Sequence, residues 1–184
     1  MAPRRGTNMS GGNPVTRRVC LTGVESTGKS TLAPLLAARF GGLVMREYGR
    51  EWAETHGLDF TRQALRDIAA GQVAARAALE AIHPALIIED TDIVMTSAWS
   101  VMLHGSRDPA LSAIPASAGL YLLFSPDTPW IDDGTRQFGG ERRAHFAAII
   151  EQELALRGIT PTIIAGDWAE RQADAEAAIT ALFG

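Results

Sequence analysis

Short apolar runs alternate with longer amphipathic stretches along most of this chain. Val19 to Thr22 reads as a first strand, and Lys29 to Phe40 as a helix ended by Gly41 and Gly42. Leu43 to Met45 is a second short strand, followed by a helical stretch from Tyr48 to His56. Thr61 is placed to cap a long helix reaching about Ile82. Its apolar stripe is Leu65, Ile68, Ala69, Ala75, Leu79 and Ile82, and His83 and Pro84 stop it. Ala85 to Ile88 is a third strand, with a helix from about Asp92 to His104 after it. Gly119 to Phe124 is a fourth strand, and Gly140 to Arg157 a helix that Gly158 caps. Thr162 to Ala165 is a fifth strand, and Trp168 to Phe183 the last helix.

This order predicts an α/β fold of three layers, a five-stranded parallel sheet flanked by helices on both faces. Such sheets place ligands at the carboxyl ends of their strands, where the motifs below fall. The pattern shows no internal repeat. Residues 1–16, rich in Gly, Pro, Ser, Thr and Asn, read as a disordered arm ahead of one domain over 17–184.

Composition narrows the class. The 184 residues carry a net charge of −4, which argues against a duplex-binding face. The apolar runs fall far short of the roughly 20 residues of a spanning helix, and the N-terminus lacks a secretory apolar core. The expectation is a soluble, cytoplasmic protein with no membrane or nucleic-acid partner. Cys20 is the single cysteine and reads as a small core residue. The four histidines, His56, His83, His104 and His145, show no metal-ligand spacing. Oligomeric state has no sequence signal.

The strongest motif is GVESTGKS, Gly23 to Ser30, which satisfies G-x-x-x-x-G-K-[ST] between a strand and a helix. Its glycines let backbone amides wrap phosphate oxygens, and the following helix N-terminus points at the anion. Gly23, Glu25, Ser26, Thr27, Gly28, Lys29, Ser30 and Thr31 are expected to bind ATP. Within that set, Lys29 reaches the outer phosphates and Ser30 ligates Mg²⁺. Glu25 is an odd carboxylate to find beside phosphate.

Two further segments point to phosphoryl transfer. ALIIEDTD, Ala85 to Asp92, is an apolar strand ending in carboxylates. One of Asp90 and Asp92 would serve the metal's water shell, while the other meets an acceptor hydroxyl. A plain helix cap at Thr91 or Asp92 is the alternative. The segment from Pro126 to Phe146 holds three arginines and three glycines, as a lid would. Arg136 and Arg142, with Arg143 third, are candidates to neutralise charge on the transferred phosphoryl group. The alternative is a solvated loop whose arginines pair with its acids.

Four elements occur together in order: GVESTGKST, REYGREW at Arg46 to Trp52, DTDIVMTSAWS at Asp90 to Ser100, and PWIDDGTRQFGGERR at Pro129 to Arg143. Together they resemble the ribosylnicotinamide kinase domain of NadR-type proteins, over nearly the whole chain from Val19 to Phe183. The resemblance implies a P-loop kinase fold and transfer of the ATP γ-phosphate to the ribose 5′-hydroxyl of nicotinamide riboside. It implies catalytic roles for Lys29, Asp92, Arg136 and Arg142, and metal binding by Ser30 and Asp90. Substrate contacts are expected among Glu47, Tyr48, Trp52, Asp90, Asp92, Trp99 and Trp130. The chain has no room for the DNA-binding and adenylyltransferase domains of larger NadR-type proteins and no HxGH motif, so only the kinase activity carries over.

The acceptor makes chemical sense, because a cationic pyridinium ring suits aromatic faces and carboxylates. Core packing is the alternative for each aromatic, most of all for Trp168. The turn at Gly166 to Trp168 is a place to look for the ATP base. Two other functions compete: a P-loop kinase for another nucleoside or small metabolite, and an ATPase or regulatory module acting on a protein partner. The N-K-x-D and D-x-x-G motifs of a GTPase switch are missing from the places they would occupy.

Overall fold

The computed structural model describes residues 15–131 and 139–183. Most of the expected N-terminal arm, and Arg136 of the expected lid, lie outside these residues. The elements in chain order are β1 (Arg17–Thr22), α1 (Lys29–Phe40), β2 (Leu43–Met45), α2 (Tyr48–His56), α3 (Arg62–Glu80) and β3 (Leu86–Asp90). They continue with α4 (Ile93–His104), α5 (Pro109–Ser112), β4 (Leu120–Phe124), α6 (Gly140–Leu156), β5 (Thr162–Ile164) and α7 (Trp168–Phe183). The short α5 is absent from the sequence expectation. β3 runs two residues further than expected, because Glu89 and Asp90 pair in register with Cys20 and Leu21 of β1.

The five strands form one parallel sheet in the order β2-β3-β1-β4-β5. Alternate strand residues feed two cores. Val19, Leu21, Leu86, Ile88, Leu122 and Phe124 pack against α1 and α7. Cys20, Tyr121 and Leu123 pack against α4 and α6, and Cys20 is fully buried as expected. A third cluster joins Leu65, Ile68 and Ala69 of α3 to Ile93 of α4 and Leu111 of α5.

β1 is the central strand, so its carboxyl end opens between β3 and β4. The loop to α1 leaves from there. No helix among the described residues is long and apolar enough to cross a membrane.

Candidate active site

Two glycines set the path of the first loop. Gly23 has φ +129°, and a Cβ there would sit 2.6 Å from the Phe124 carbonyl oxygen. Gly28 has φ +91° and caps α1 with no side-chain bond. No side chain caps the start of α1, and the residues of its first turn line the cleft, the arrangement an anion fills. Ser26 is held at φ +61° between them. Lys29 folds back onto the loop, its Nζ donating to the Val24 carbonyl at 2.7 Å and to Thr27 Oγ1 at 3.4 Å. Gly23 and Glu25 to Thr31 line one cleft together with Glu47, Arg50, Thr91, Met95, Trp99 and Phe146.

A second cleft adjoins it, and Glu25, Glu47, Arg50, Thr91, Met95 and Trp99 belong to both. Beyond this shared wall the second cleft is mostly apolar, with Ala53, Leu58, Phe60, Leu65 and Ile68, and holds the polar pair Gln72 and Thr96. The Trp99 ring lies between Phe60 and Phe146, centroids 5.5 and 5.3 Å away. Glu47, the N-cap of α2, is partly buried, with Arg50 Nε 3.9 Å from its carboxylate. Burial, then the charge of Asp90, pushes the Glu47 carboxyl up to about 7 against the pull of Lys29 and Arg50.

The acidic strand end divides in two. Asp90 is 4% exposed, and its Oδ1 has no hydrogen-bond partner among the described residues. Asp92 is the N-cap of α4, its Oδ1 accepting from Val94 N at 2.9 Å. Its Oδ2 accepts from the Tyr121 hydroxyl at 2.6 Å. The helix cap read as the alternative at Asp92 is thus present, and it engages the carboxylate that the expected catalytic and substrate roles would use. Both oxygens are engaged, the residue is 2% exposed, and it lines neither cleft. Thr91 between the two aspartates has φ +70°, a strained backbone position at the shared wall.

The segment after β4 is tied to the phosphate loop by Arg143, which is 8% exposed. Its guanidinium donates to the carbonyls of Thr128 at 2.6 Å, Glu25 at 3.0 Å and Pro126 at 3.2 Å. Thr128 Oγ1 donates to the Ser26 carbonyl at 2.7 Å, and Ser26 Oγ accepts from Ile131 N at 3.1 Å. Arg143, the third of the arginine candidates, is held here as a buried strut between these carbonyls. Arg142 is exposed on the first turn of α6 and lines neither cleft.

The aromatic expectations fare unevenly. Trp99 faces both clefts. Tyr48 instead lies against α3, where a Cβ on Gly71 would come within 2.2 Å of its ring. Trp52 stacks on His56 at 3.9 Å, and Trp130 packs on Gly139. None of these three lines either cleft. Trp168, expected in the core, is 43% exposed, with its ring edge against Gly28 of the phosphate loop.

Sequence reasoning missed Arg50, Phe60, Gln72, Met95 and Phe146 at the clefts; it puts Thr96 on one helix face with Asp92 and Trp99, and Thr91 only at a helix cap. Gln72 alone carried a signal, a polar residue four positions after Ile68 on the apolar stripe of α3. It also missed Arg171, fully buried, which pairs with Asp127 and donates to the Gly166 carbonyl at 2.8 Å. That cluster pins the start of α7 beside the loop.

No group of three or more His, Cys, Asp or Glu forms a metal cage among the described residues. Mg²⁺ in nucleotide sites needs no such cage, since phosphates and waters supply most of its ligands. Ser30, which lines the first cleft, fits that requirement, and so does the unpartnered Oδ1 of Asp90, which lines neither cleft but adjoins Thr91 of the shared wall.

A parallel sheet of this order, with a glycine-rich loop leaving its central strand, defines a P-loop nucleotide-binding protein with a kinase fold. The chain belongs to the AAA domain family, whose model matches residues 18–171. It is 34% identical over 146 residues to the trifunctional NAD biosynthesis/regulator protein NadR of Salmonella typhimurium. That match covers 73% of this chain and 35% of the relative, so the chain spans about a third of the relative's length. Among solved structures, NadR protein in complex with NR superposes with a TM-score of 0.74 at 22% identity, over 91% of this chain and 51% of that one. Thymidylate kinase from Ehrlichia chaffeensis gives 0.64 at 15% identity, over 92% of this chain and 100% of that one. The similarity to NadR read from the four sequence motifs is thus shared by sequence relatives and by fold.

Proposed function

We propose that this protein phosphorylates nicotinamide riboside at its ribose 5′-hydroxyl, using ATP and Mg²⁺ and giving nicotinamide mononucleotide. One observation carries the reading: a phosphate-binding cleft and an apolar, acid-edged cleft share a wall at Glu25, Glu47 and Trp99. A γ-phosphate in the first therefore meets a hydroxyl presented from the second. The similarity to NadR, one structure of which is in complex with NR, supports the choice of acceptor.

On this reading the loop amides and the N-terminus of α1 hold the phosphates, and Lys29 leaves the Val24 carbonyl to reach them. Ser30, with Asp90 through a bound water, would hold Mg²⁺, which would offset phosphate charge. The pyridinium ring lies against Trp99, with Glu47 and Glu25 supplying negative charge nearby. Glu47 takes the hydroxyl proton as the 5′-oxygen bonds to the γ-phosphorus and the bond to the β–γ bridging oxygen breaks. It takes that role in place of Asp92, because it lines both clefts while both oxygens of Asp92 are already hydrogen-bonded. Arg142, and Arg136 from outside the described residues, would close over the γ-phosphate in a lid formed by about 126–146. Trp168 stands where it can flank the nucleotide base. The chain acts as one kinase domain over 17–184.

The test is purified protein with ATP, Mg²⁺ and nicotinamide riboside, read by mass spectrometry. The expected product is nicotinamide mononucleotide, formed in step with ADP. ADP release at the same rate without any riboside would overturn the kinase reading in favour of an ATPase. Phosphorylation of another nucleoside alone would overturn the acceptor.

A further inference from the structure

The acceptor cleft contains one polar side chain whose environment the reaction does not explain. Gln72 is 6% exposed, on the face of α3 that otherwise buries Leu65, Ile68 and Ala69. Its Oε1 accepts from Thr96 Oγ1 of α4 at 3.1 Å. That bond fixes the plane of the amide. It takes Oε1 and leaves Nε2, which is not one of the fully buried unpartnered atoms among the described residues, to donate into the cleft. Around it the wall is Leu65, Ile68, Met95, Phe60 and Trp99.

A ligand that fills the cleft strips water from this donor, and that loss is offset only where the ligand supplies an acceptor. The location says which part of the ligand. Glu47 lines both clefts, whereas Gln72 and Thr96 line only the second, beyond the shared wall. The reacting hydroxyl belongs at the Glu47 end. Gln72 therefore meets the opposite edge of the molecule, past the ring that lies on Trp99.

We propose that Gln72 is a specificity-determining residue, donating from Nε2 to a carbonyl oxygen on the far edge of the acceptor's aromatic ring. Thr96 is its positioning residue. This rests on the kinase reading above and adds a requirement to it: the acceptor carries an acyl substituent such as a carboxamide, in addition to a cationic ring. A site built around such a donor rejects analogues lacking its partner far more strongly than a purely apolar pocket would.

The experiment compares two substrates, nicotinamide riboside and the pyridinium riboside without the carboxamide, as a ratio of kcat/KM values. The ratio is internal to each protein, so partial loss of folded enzyme cancels. Wild type is expected to favour the carboxamide by at least about tenfold. Gln72→Leu and Gln72→Met are each expected to bring the ratio near unity, by losing activity on the carboxamide alone. Thr96→Val should lower the ratio in part, through KM, and Thr96→Ser should restore it. An unchanged ratio in both Gln72 variants, with wild type active on both ribosides, overturns the assignment and leaves the kinase reading standing. Wild type inactive on both ribosides overturns the kinase reading and this assignment with it.

Discussion

Glu47 and Asp92 show how two carboxylates near one cleft come to differ. Asp92 is spent on structure, one oxygen on the amide of Val94 and the other on the Tyr121 hydroxyl. Glu47 stays at the shared wall, where burial and then the charge of Asp90 push its carboxyl up to about 7. A carboxylate base must be ionised to accept a proton. Activity should therefore fall as pH drops through about 7, and the Glu47→Gln variant should lose that limb of the profile. Its turnover should drop by about 10²–10⁴, with little change in the KM for ATP. A variant that keeps the wild-type acid limb would remove Glu47 from this role. The sequence could not separate the two acids. The DTD motif looks catalytic on paper, yet the phenol that occupies Asp92 comes from β4, 29 residues later.

At the scale of elements, most boundaries follow from apolar period and from Gly, Pro and Thr punctuation, as at Thr61, whose side chain accepts from Ala64 N. What the pattern does not contain is the direction in which a short helix turns its aromatics. Tyr48 and Trp52 share a face of α2, but that face meets α3 because Gly71 leaves room for a ring. Gly71 is thus a docking notch for the helix that begins beside Glu47. Gly71→Val should displace Tyr48, lowering stability by about 1–3 kcal/mol together with activity. Combining it with Tyr48→Ala should recover part of the stability, a coupling that thermal melts of the four proteins would measure. Strict additivity would show that the two residues do not share the notch. The helix α5 escaped notice because four residues carry no period.

Across the whole molecule, strand count and parallel direction are legible from the alternation of elements, while strand order depends on pairing that no local pattern records. That order buries Glu89 of β3 against Cys20 of β1. Burial, then the charge of Asp92, raises the Glu89 carboxyl to about 7, with Arg18 at 3.6 Å pulling the other way. An acid whose folded pKa lies above its unfolded one binds its proton more tightly when folded. Its stabilising effect is full below about 4.5 and is lost as pH rises through about 7. Unfolding free energy should then decline between those values. Glu89→Gln should flatten the decline and make the protein more stable than wild type at pH 8, as urea melts across pH would show. A variant less stable at pH 8 would mean that the pair with Arg18 outweighs the cost of burial.

The wall common to both clefts has a thermodynamic consequence. Glu25, Glu47, Arg50, Thr91, Met95 and Trp99 line both the phosphate-loop cleft and the cleft proposed for the acceptor. A ligand that orders these side chains changes what the other ligand encounters. Linkage then requires the effect to be equal in both directions: whatever factor a non-hydrolysable ATP analogue applies to the dissociation constant of nicotinamide riboside, the riboside must return to the analogue. Titration calorimetry in both orders should give one coupling factor different from unity. A factor of one would show two sites that are neighbours without being partners.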